Sequence, residues 1–217
     1  MLTNPDKRLA LHAYEQILDL IMGGKVGAGE LMNERRLAEA LNMSRTPVRD
    51  ALLMLEGEGL LLRQGSRGLQ VRQMRIEDYM DALQVRLLLE PAVARMATGR
   101  VPAAQIHACR ARIEAAMAEY GNGPADRDLV RSIDGEVHGM IIDMIENAQL
   151  SSIVQTMRRQ TQMFDLRALP ERFAGTCEEH LRILDALEKG DGARAAAAMT
   201  EHLEAVRQSI IDKLSRL

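Results

Sequence analysis

Apolar positions in the first third of the chain recur at helical spacing in three short runs. Leu11, Tyr14, Ile17, Leu18 and Ile21 form one amphipathic stripe, which stops at Gly23-Gly24 because paired glycines do not comfortably continue a helix. Leu37, Ala38 and Leu41 form a second, with Asn33 as its expected cap and a turn-rich lead-in from Lys25 to Leu31. Val48, Ala51, Leu52 and Leu55 fall at i, i+3, i+4 and i+7 and form a third. Ser44 stands just ahead of this run, where a hydroxyl can accept an orphan amide hydrogen of the first turn. The pattern then turns strand-like. Leu60-Leu61-Leu62-Arg63 and Leu69-Gln70-Val71-Arg72 read as a hairpin turned through Gly65 to Gly68. Helices followed by a hairpin predict a winged helix-turn-helix over residues 1–75, a shape that places one helix in a DNA groove. The polar stretch Gln73 to Glu77 marks the domain boundary.

Everything after Glu77 reads as helix. About six are expected, near Asp78 to Ala97, Pro102 to Tyr120, Ala125 to Glu146, Leu150 to Asp165, Pro170 to Lys189 and Asp191 to Leu217, punctuated by Gly121-Asn122-Gly123-Pro124 and Gly190-Asp191-Gly192. Residues 76–217 are therefore expected to form an all-helical antiparallel bundle, making the chain mostly α.

Composition sharpens this picture. A length of 217 residues favours two domains, and 47% hydrophobic with 27% charged residues describes a soluble globular protein. With aromatics at 2%, the core must come from aliphatic residues and 14 methionines, which can adapt around a ligand. The absence of an apolar run of membrane-spanning length argues against a membrane partner. Residues Met1 to Ala10 lack a signal-peptide pattern, and Cys109 and Cys177 are too few and too far apart for a disulfide framework or a zinc ribbon. A reducing cytoplasm suits such a chain. The net charge of -3 divides unevenly: residues 1–75 hold 11 basic and 9 acidic side chains (+2), the remainder 17 and 22 (-5). Basic excess thus lies with the groove-reading pattern.

Two sets of residues carry candidate chemistry. Arg45, Thr46 and Arg49 project outward near the start of the third helix. Like charges at i, i+4 cost about 0.2–0.5 kcal/mol, a cost that a phosphate or base edge between Arg45 and Arg49 would turn into attraction. Arg67 sits at the hairpin tip, within reach of a minor groove. In the second domain, Asp134 and His138 share a face with Val130, Val137, Ile141 and Ile145. His180 lies with Ile183, Leu184 and Leu187, and His202 with Ala195, Met199, Val206 and Ile210. Burying these groups unpaired costs several kcal/mol, and one divalent ion of zinc, nickel, cobalt, manganese or iron would satisfy all four. Taken singly, an Asp-x-x-x-His pair is more often a surface ion pair, and an inward histidine more often bonds a carbonyl or water. Arg86, on a face with Ala82, Leu89 and Val93, can pair with a ligand carboxylate or with Glu90 at i+4. Asn147 reads as a helix end, and His12 and His107 as surface residues.

The string from Gly29 to Val71, with Asn33-Glu34-Arg35, Leu37-Ala38, Ser44-Arg45-Thr46-Pro47-Val48-Arg49, Ala51-Leu52, Gly59-Leu60 and Gly68, resembles the DNA-binding half of the GntR superfamily of bacterial transcription regulators. That resemblance implies operator contacts from Arg35, Ser44, Arg45, Thr46 and Arg49, and from Ser66, Arg67 and Gly68 in the wing; Arg36 matches no contact position. The helices beyond, with Arg86-x-x-x-Glu90, Asp134-x-x-x-His138, Asn147, Glu179-His180, Gly190-Asp191 and His202-Leu203, resemble the FadR C-terminal (FCD) ligand-binding domain in its metal-binding form. This implies Asp134, His138, His180 and His202 as metal ligands, zinc or nickel foremost, with an organic or sugar acid as effector beside them. Val137 stands where the family usually has an aromatic residue. The resemblance further implies a homodimeric repressor of double-stranded operator DNA that responds to ligand. A direct metal sensor is the nearest alternative. A metal-dependent hydrolase is the more distant one, for which the chain offers neither His-Glu-x-x-His nor a serine nucleophile elbow, so the expectation is a protein that is not an enzyme.

Overall fold

The computed structural model describes residues 5–121, 123, 125–164 and 172–215, with backbone alone at Pro5 and Arg127. The expected turn residues Asn122 and Pro124, the helix limits at Asp165 and Pro170, Met1 to Asn4 and the final Arg216-Leu217 lie outside the described residues. The chain is mostly helical, with a small two-stranded wing. It divides into two compact units, one of Met1–Tyr79 with Arg159–Phe164, the other of Met80–Arg158 with Asp165–Leu217.

In the first unit, α1 (Pro5–Met22), α2 (Glu34–Ala40) and α3 (Arg45–Gly57) precede the hairpin of β1 (Leu61–Arg63) and β2 (Leu69–Val71). Ala13, Tyr14, Ile17 and Ile21 of α1 are buried against Val48, Ala51, Leu52 and Leu55 of α3, so the apolar stripes meet as the periodicity requires. Leu11 departs from the expected stripe and is 41% exposed, because the buried face of α1 runs through Ala10 and Ala13 instead. Asn33 caps α2, its side-chain oxygen accepting the Arg36 N–H at 3.0 Å. Asn42 makes the turn to α3 at φ 51°, a left-handed conformation that asparagine tolerates. The hairpin is antiparallel, with Leu61 opposite Val71, and turns through a single 3-10 turn at Gly65–Arg67. Gly68, at φ 99° and ψ -152°, occupies backbone space essentially closed to other residues. The lead-in expected as a turn does more: Leu31 bridges Gln70, and the Gly29 and Met32 amides donate to Val71 and Leu69, extending the sheet. Arg159 also belongs to this unit, pairing at 3.0 Å with Glu58, whose carboxylate accepts the Tyr14 hydroxyl at 2.9 Å.

The second unit is built on α4 (Ile76–Ala97) from Met80 onward, α5 (Ala103–Tyr120), α6 (Arg127–Ile142), α7 (Ala148–Met163) as far as Arg158, α8 (Phe173–Glu188) and α9 (Gly192–Leu214). Helix α8 packs against α5, α6 and α9 and is buried on most of its circumference. Side chains set the helix starts: Asp126 accepts from the Asp128 and Leu129 amides ahead of α6, and Asp191 from Arg194 ahead of α9. Asn147 does likewise for α7, accepting from Gln149 and Leu150 at 3.1 Å, so it begins a helix where the sequence suggested an end. Gly190, at φ 69°, closes α8 and lets α9 turn back along it.

Leu55 is fully buried and Leu53 is 47% exposed on the same helix. Leu55→Ala is expected to destabilise the protein by about 2–5 kcal/mol, and Leu53→Ala by under about 0.5 kcal/mol, read as shifts in urea-denaturation midpoint.

Candidate metal centre and nucleic-acid interface

The four candidate ligands come from three helices of the second unit: Asp134 and His138 from α6, His180 from α8 and His202 from α9. One donor atom from each lies within 4.8 Å of all the others. The sequence placed these residues on separate inward faces, and the packing brings those faces to one point.

Two carboxylates fix the imidazoles. Glu90 Oε2 lies 2.5 Å from His138 Nδ1, and Glu179 Oε2 lies 2.8 Å from His202 Nδ1. An ionised carboxylate only accepts, so each Nδ1 carries a proton and each Nε2 is turned toward the centre of the cluster. Those two Nε2 atoms face one another at 3.4 Å. Asp134 Oδ1 lies 3.5 Å from His138 Nε2 and 3.8 Å from His180 Nε2. Both ring nitrogens of His180 are buried without a hydrogen-bond partner among the described residues. Two converging imidazole nitrogens and an orphaned imidazole are what a shared cation would satisfy. With zinc–nitrogen bonds of about 2.0–2.1 Å, a tetrahedral edge is about 3.3–3.4 Å, which the His138–His202 pair matches, while the other donors, up to 4.8 Å apart, would have to draw in around an ion.

Electrostatics keep Asp134, His138 and His180 in their ligating forms. Burial, reinforced by the Arg158 guanidinium, pushes His138 down to about 4, and burial with the neighbouring His202 takes His180 well below its ordinary value. Desolvation alone would raise the Asp134 carboxyl, yet Arg158 and then His138 hold it well below the usual carboxylate range. Glu90 likewise stays ionised against its desolvation because Arg86 and His138 lie beside it. At neutral pH the cluster therefore offers the Asp134 carboxylate and the neutral imidazoles of His138 and His180. The Asp134 side chain is 25% exposed and the three imidazoles at most 2%, so the cluster opens to solvent on the Asp134 side.

The first unit exposes Ser44, Arg45, Thr46 and Arg49 at the start of α3, Arg35 on α2, and Ser66 and Arg67 on the wing. Ser44 occupies the N-cap position with extended backbone, but its hydroxyl makes no capping hydrogen bond. That hydroxyl and the first-turn amides remain open to a phosphate oxygen. Arg45 and Arg49 do not face solvent as bare like charges. Glu34, the first residue of α2, lies between them, accepting from Arg45 Nε at 2.9 Å and from Arg49 Nη2 and Nε at 3.1 and 3.2 Å. Hydrogen bonds from Arg49, and to a smaller degree from Arg45, lower the Glu34 carboxyl.

Residues 9–71 match the bacterial regulatory proteins of the gntR family, and residues 81–205 match the FCD domain. The chain belongs to the GntR family and carries an FCD domain. This GntR regulator is 30% identical over 210 residues to the HTH-type transcriptional regulator LutR of Bacillus subtilis, covering 85% of this chain and 93% of that one. It is 26% identical over 216 residues to the HTH-type transcriptional repressor RspR of Escherichia coli, covering 95% and 91%. Among solved structures, E. coli McbR/YncC matches with a TM-score of 0.77 at 18% identity over 99% and 100% of the two chains. A GntR transcriptional regulator from Rhodococcus sp. RHA1 matches with a TM-score of 0.72 at 21% identity over 94% and 97%. At those identities the structural likeness is one of fold. The protein is a DNA-binding transcription regulator and not an enzyme, and no helix among the described residues is long and apolar enough to cross a membrane.

Sequence reasoning gave no part in the buried cluster of this GntR regulator to four residues that organise it, Glu90, Arg158, Arg172 and Glu179. Glu90 entered only as an intrahelical partner of Arg86, and that pair is present at 2.5 Å. Its second oxygen goes to His138, so Arg86, Glu90 and His138 form one arm. Arg172, Glu179 and His202 form a second, with Arg172 at 2.5 Å from Glu179. Arg158 was unassigned, yet it is buried and bonds Asp134 Oδ2 at 2.8 Å. The recoverable signal was a charged residue inside an apolar stripe, as at Ala82, Arg86, Glu90 and Ala94 on α4.

Loss of a carboxylate that orients a ligand typically lowers metal affinity about 10–100-fold, the loss expected for Glu179→Gln in chelator-competition titrations with zinc. His180→Ala, which removes a donor outright, is expected to lower it further in the same assay.

Proposed function

We propose that this GntR regulator is a cytoplasmic homodimeric repressor whose second unit binds a divalent metal, zinc or nickel, and a small organic or sugar acid that releases it from operator DNA. The observation that carries the reading is the charge balance of the buried cluster. Arg86, Arg158 and Arg172 stand against Glu90, Asp134 and Glu179, so three cations and three anions cancel around the three imidazoles. A bound divalent ion held by Asp134, His138, His180 and His202 adds two positive charges and leaves coordination positions open. A carboxylate is the complement such a site lacks. It would enter on the exposed Asp134 side, with the buried guanidinium of Arg86 supplying a planar, permanently charged donor for its oxygens.

On the DNA side the reading assigns phosphate and base contacts to Arg35, Ser44, Arg45, Thr46 and Arg49, with Ser66, Arg67 and Gly68 of the wing. A balance of +2 over the first 75 residues is modest, so placed arginines rather than a diffuse field carry affinity, and a dimer doubles them. An exposed apolar stripe on α4 supports pairing with a second copy: Leu88 is 71% and Met96 43% exposed, with Ala92 between them at helical spacing. The relatives' repressor name supports the direction of control.

Two measurements test the reading. Arg45→Ala and Arg49→Ala are each expected to weaken operator binding and to reduce the salt slope by about 0.9 for each phosphate no longer neutralised; unchanged affinity would remove that side chain from the interface. Metal-loaded protein screened by thermal shift against carboxylic and sugar acids is expected to gain stability with a true effector, about 2.7 kcal/mol at a hundredfold excess over Kd. That gain should vanish in His180→Ala. Release of DNA on adding metal alone, with no acid required, would replace the acid-responsive reading by direct metal sensing.

A further inference from the structure

Glu34 has no place in the contact set just proposed, yet it is the most connected side chain on that face. It is the first residue of α2, where the helix dipole favours a carboxylate, and it reaches across to the first and fifth residues of α3. Its carboxylate is 23% exposed, whereas Arg45 and Arg49 are 63% and 61% exposed. The two guanidinia are held differently. Arg49 gives Glu34 its side-on edge, Nε together with Nη2, which leaves Nη1. Arg45 gives only Nε, and its Nη1 and Nη2 bond nothing else among the described residues. That leaves the end-on fork of Arg45 intact. A fork of two parallel N–H donors matches O6 and N7 of guanine in the major groove, while a single remaining Nη matches a phosphate oxygen.

We propose that Glu34 is a specificity-determining positioning residue: it turns the Arg45 fork toward a guanine and confines Arg49 to a backbone contact. This rests on the reading that the start of α3 enters DNA. In free solution an arginine at this exposure samples many rotamers, and fixing it beforehand removes an entropy cost that binding would otherwise carry. A carboxylate so near phosphates also repels DNA of any sequence. Glu34 therefore weakens non-specific binding while sharpening the choice of base, so its two effects have opposite signs on the two kinds of DNA.

The test uses the full-length protein and selection from a randomised duplex library. The wild type is expected to select half-sites containing an invariant guanine, which Arg45→Ala and Arg45→Lys both lose, because an ammonium cannot present a fork. Glu34→Gln is expected to relax the same base pair and to lower the ratio of selected-site to poly(dI-dC) affinity about tenfold. Its binding to poly(dI-dC) should tighten, with a salt slope steeper by about 0.9, as one more arginine charge becomes available. In an Arg45→Lys background, which keeps the charge, Glu34→Gln should lower the ratio no further. An unchanged base preference in Glu34→Gln, or an equal further loss in the Arg45→Lys background, would overturn the positioning role while leaving the DNA reading intact. Failure of the wild type to select any motif would instead remove the DNA reading, and this inference with it.

Discussion

Two imidazole nitrogens brought face to face across 3.4 Å set the terms for the helical unit. Each ring is pinned there from behind. Glu90 and Glu179 hold the Nδ1 atoms, and Arg86 and Arg172 in turn hold those carboxylates. The arms converge from α4 and α6 on one side and from α8 and α9 on the other. Helices α6, α8 and α9 therefore have to keep their register to within a fraction of a turn, since a slip of one residue would swing a histidine about 100° off the cluster. Buried ionic networks of this kind are weak contributors to stability, because desolvation consumes most of the Coulomb gain. Their persistence in a core otherwise built from aliphatic residues points to a ligand.

The DNA-reading unit handles charge in the opposite regime. Its Arg–Glu–Arg cluster is largely exposed, where an ion pair contributes from nothing to about 1 kcal/mol. Fold stability there comes from the packing of α1 on α3 and from the small sheet, to which the segment before α2 adds an edge. The exposed cluster is then free to serve orientation alone. Both units thus use a carboxylate to aim a nitrogen-bearing side chain, an imidazole in one and a guanidinium in the other. In the core the aim converges on the candidate metal site, and on the surface it leaves a guanidinium fork exposed.

Helix periods, caps and glycine turns were local signals, so the sequence alone determined the element order, the winged helix-turn-helix and the approximate limits of the six helices that follow. It also determined which faces turn inward, and hence that Asp134, His138, His180 and His202 lie on buried stripes. Tertiary structure decided what those stripes meet. The pairing of Glu90 with His138 spans 48 residues and that of Arg158 with Asp134 spans 24, and no spacing rule reaches across separate helices. The same holds for Glu34, eleven residues before Arg45, whose partners depend on the angle between two helices. Asn147 shows the boundary between the two kinds of knowledge: its preference for a helix terminus was written in its chemistry, but which terminus depended on the amides that the fold placed in reach. Local propensity follows from a residue and its near neighbours. Convergence of charges follows only from packing, because Coulomb and hydrogen-bond partners are chosen by distance in space.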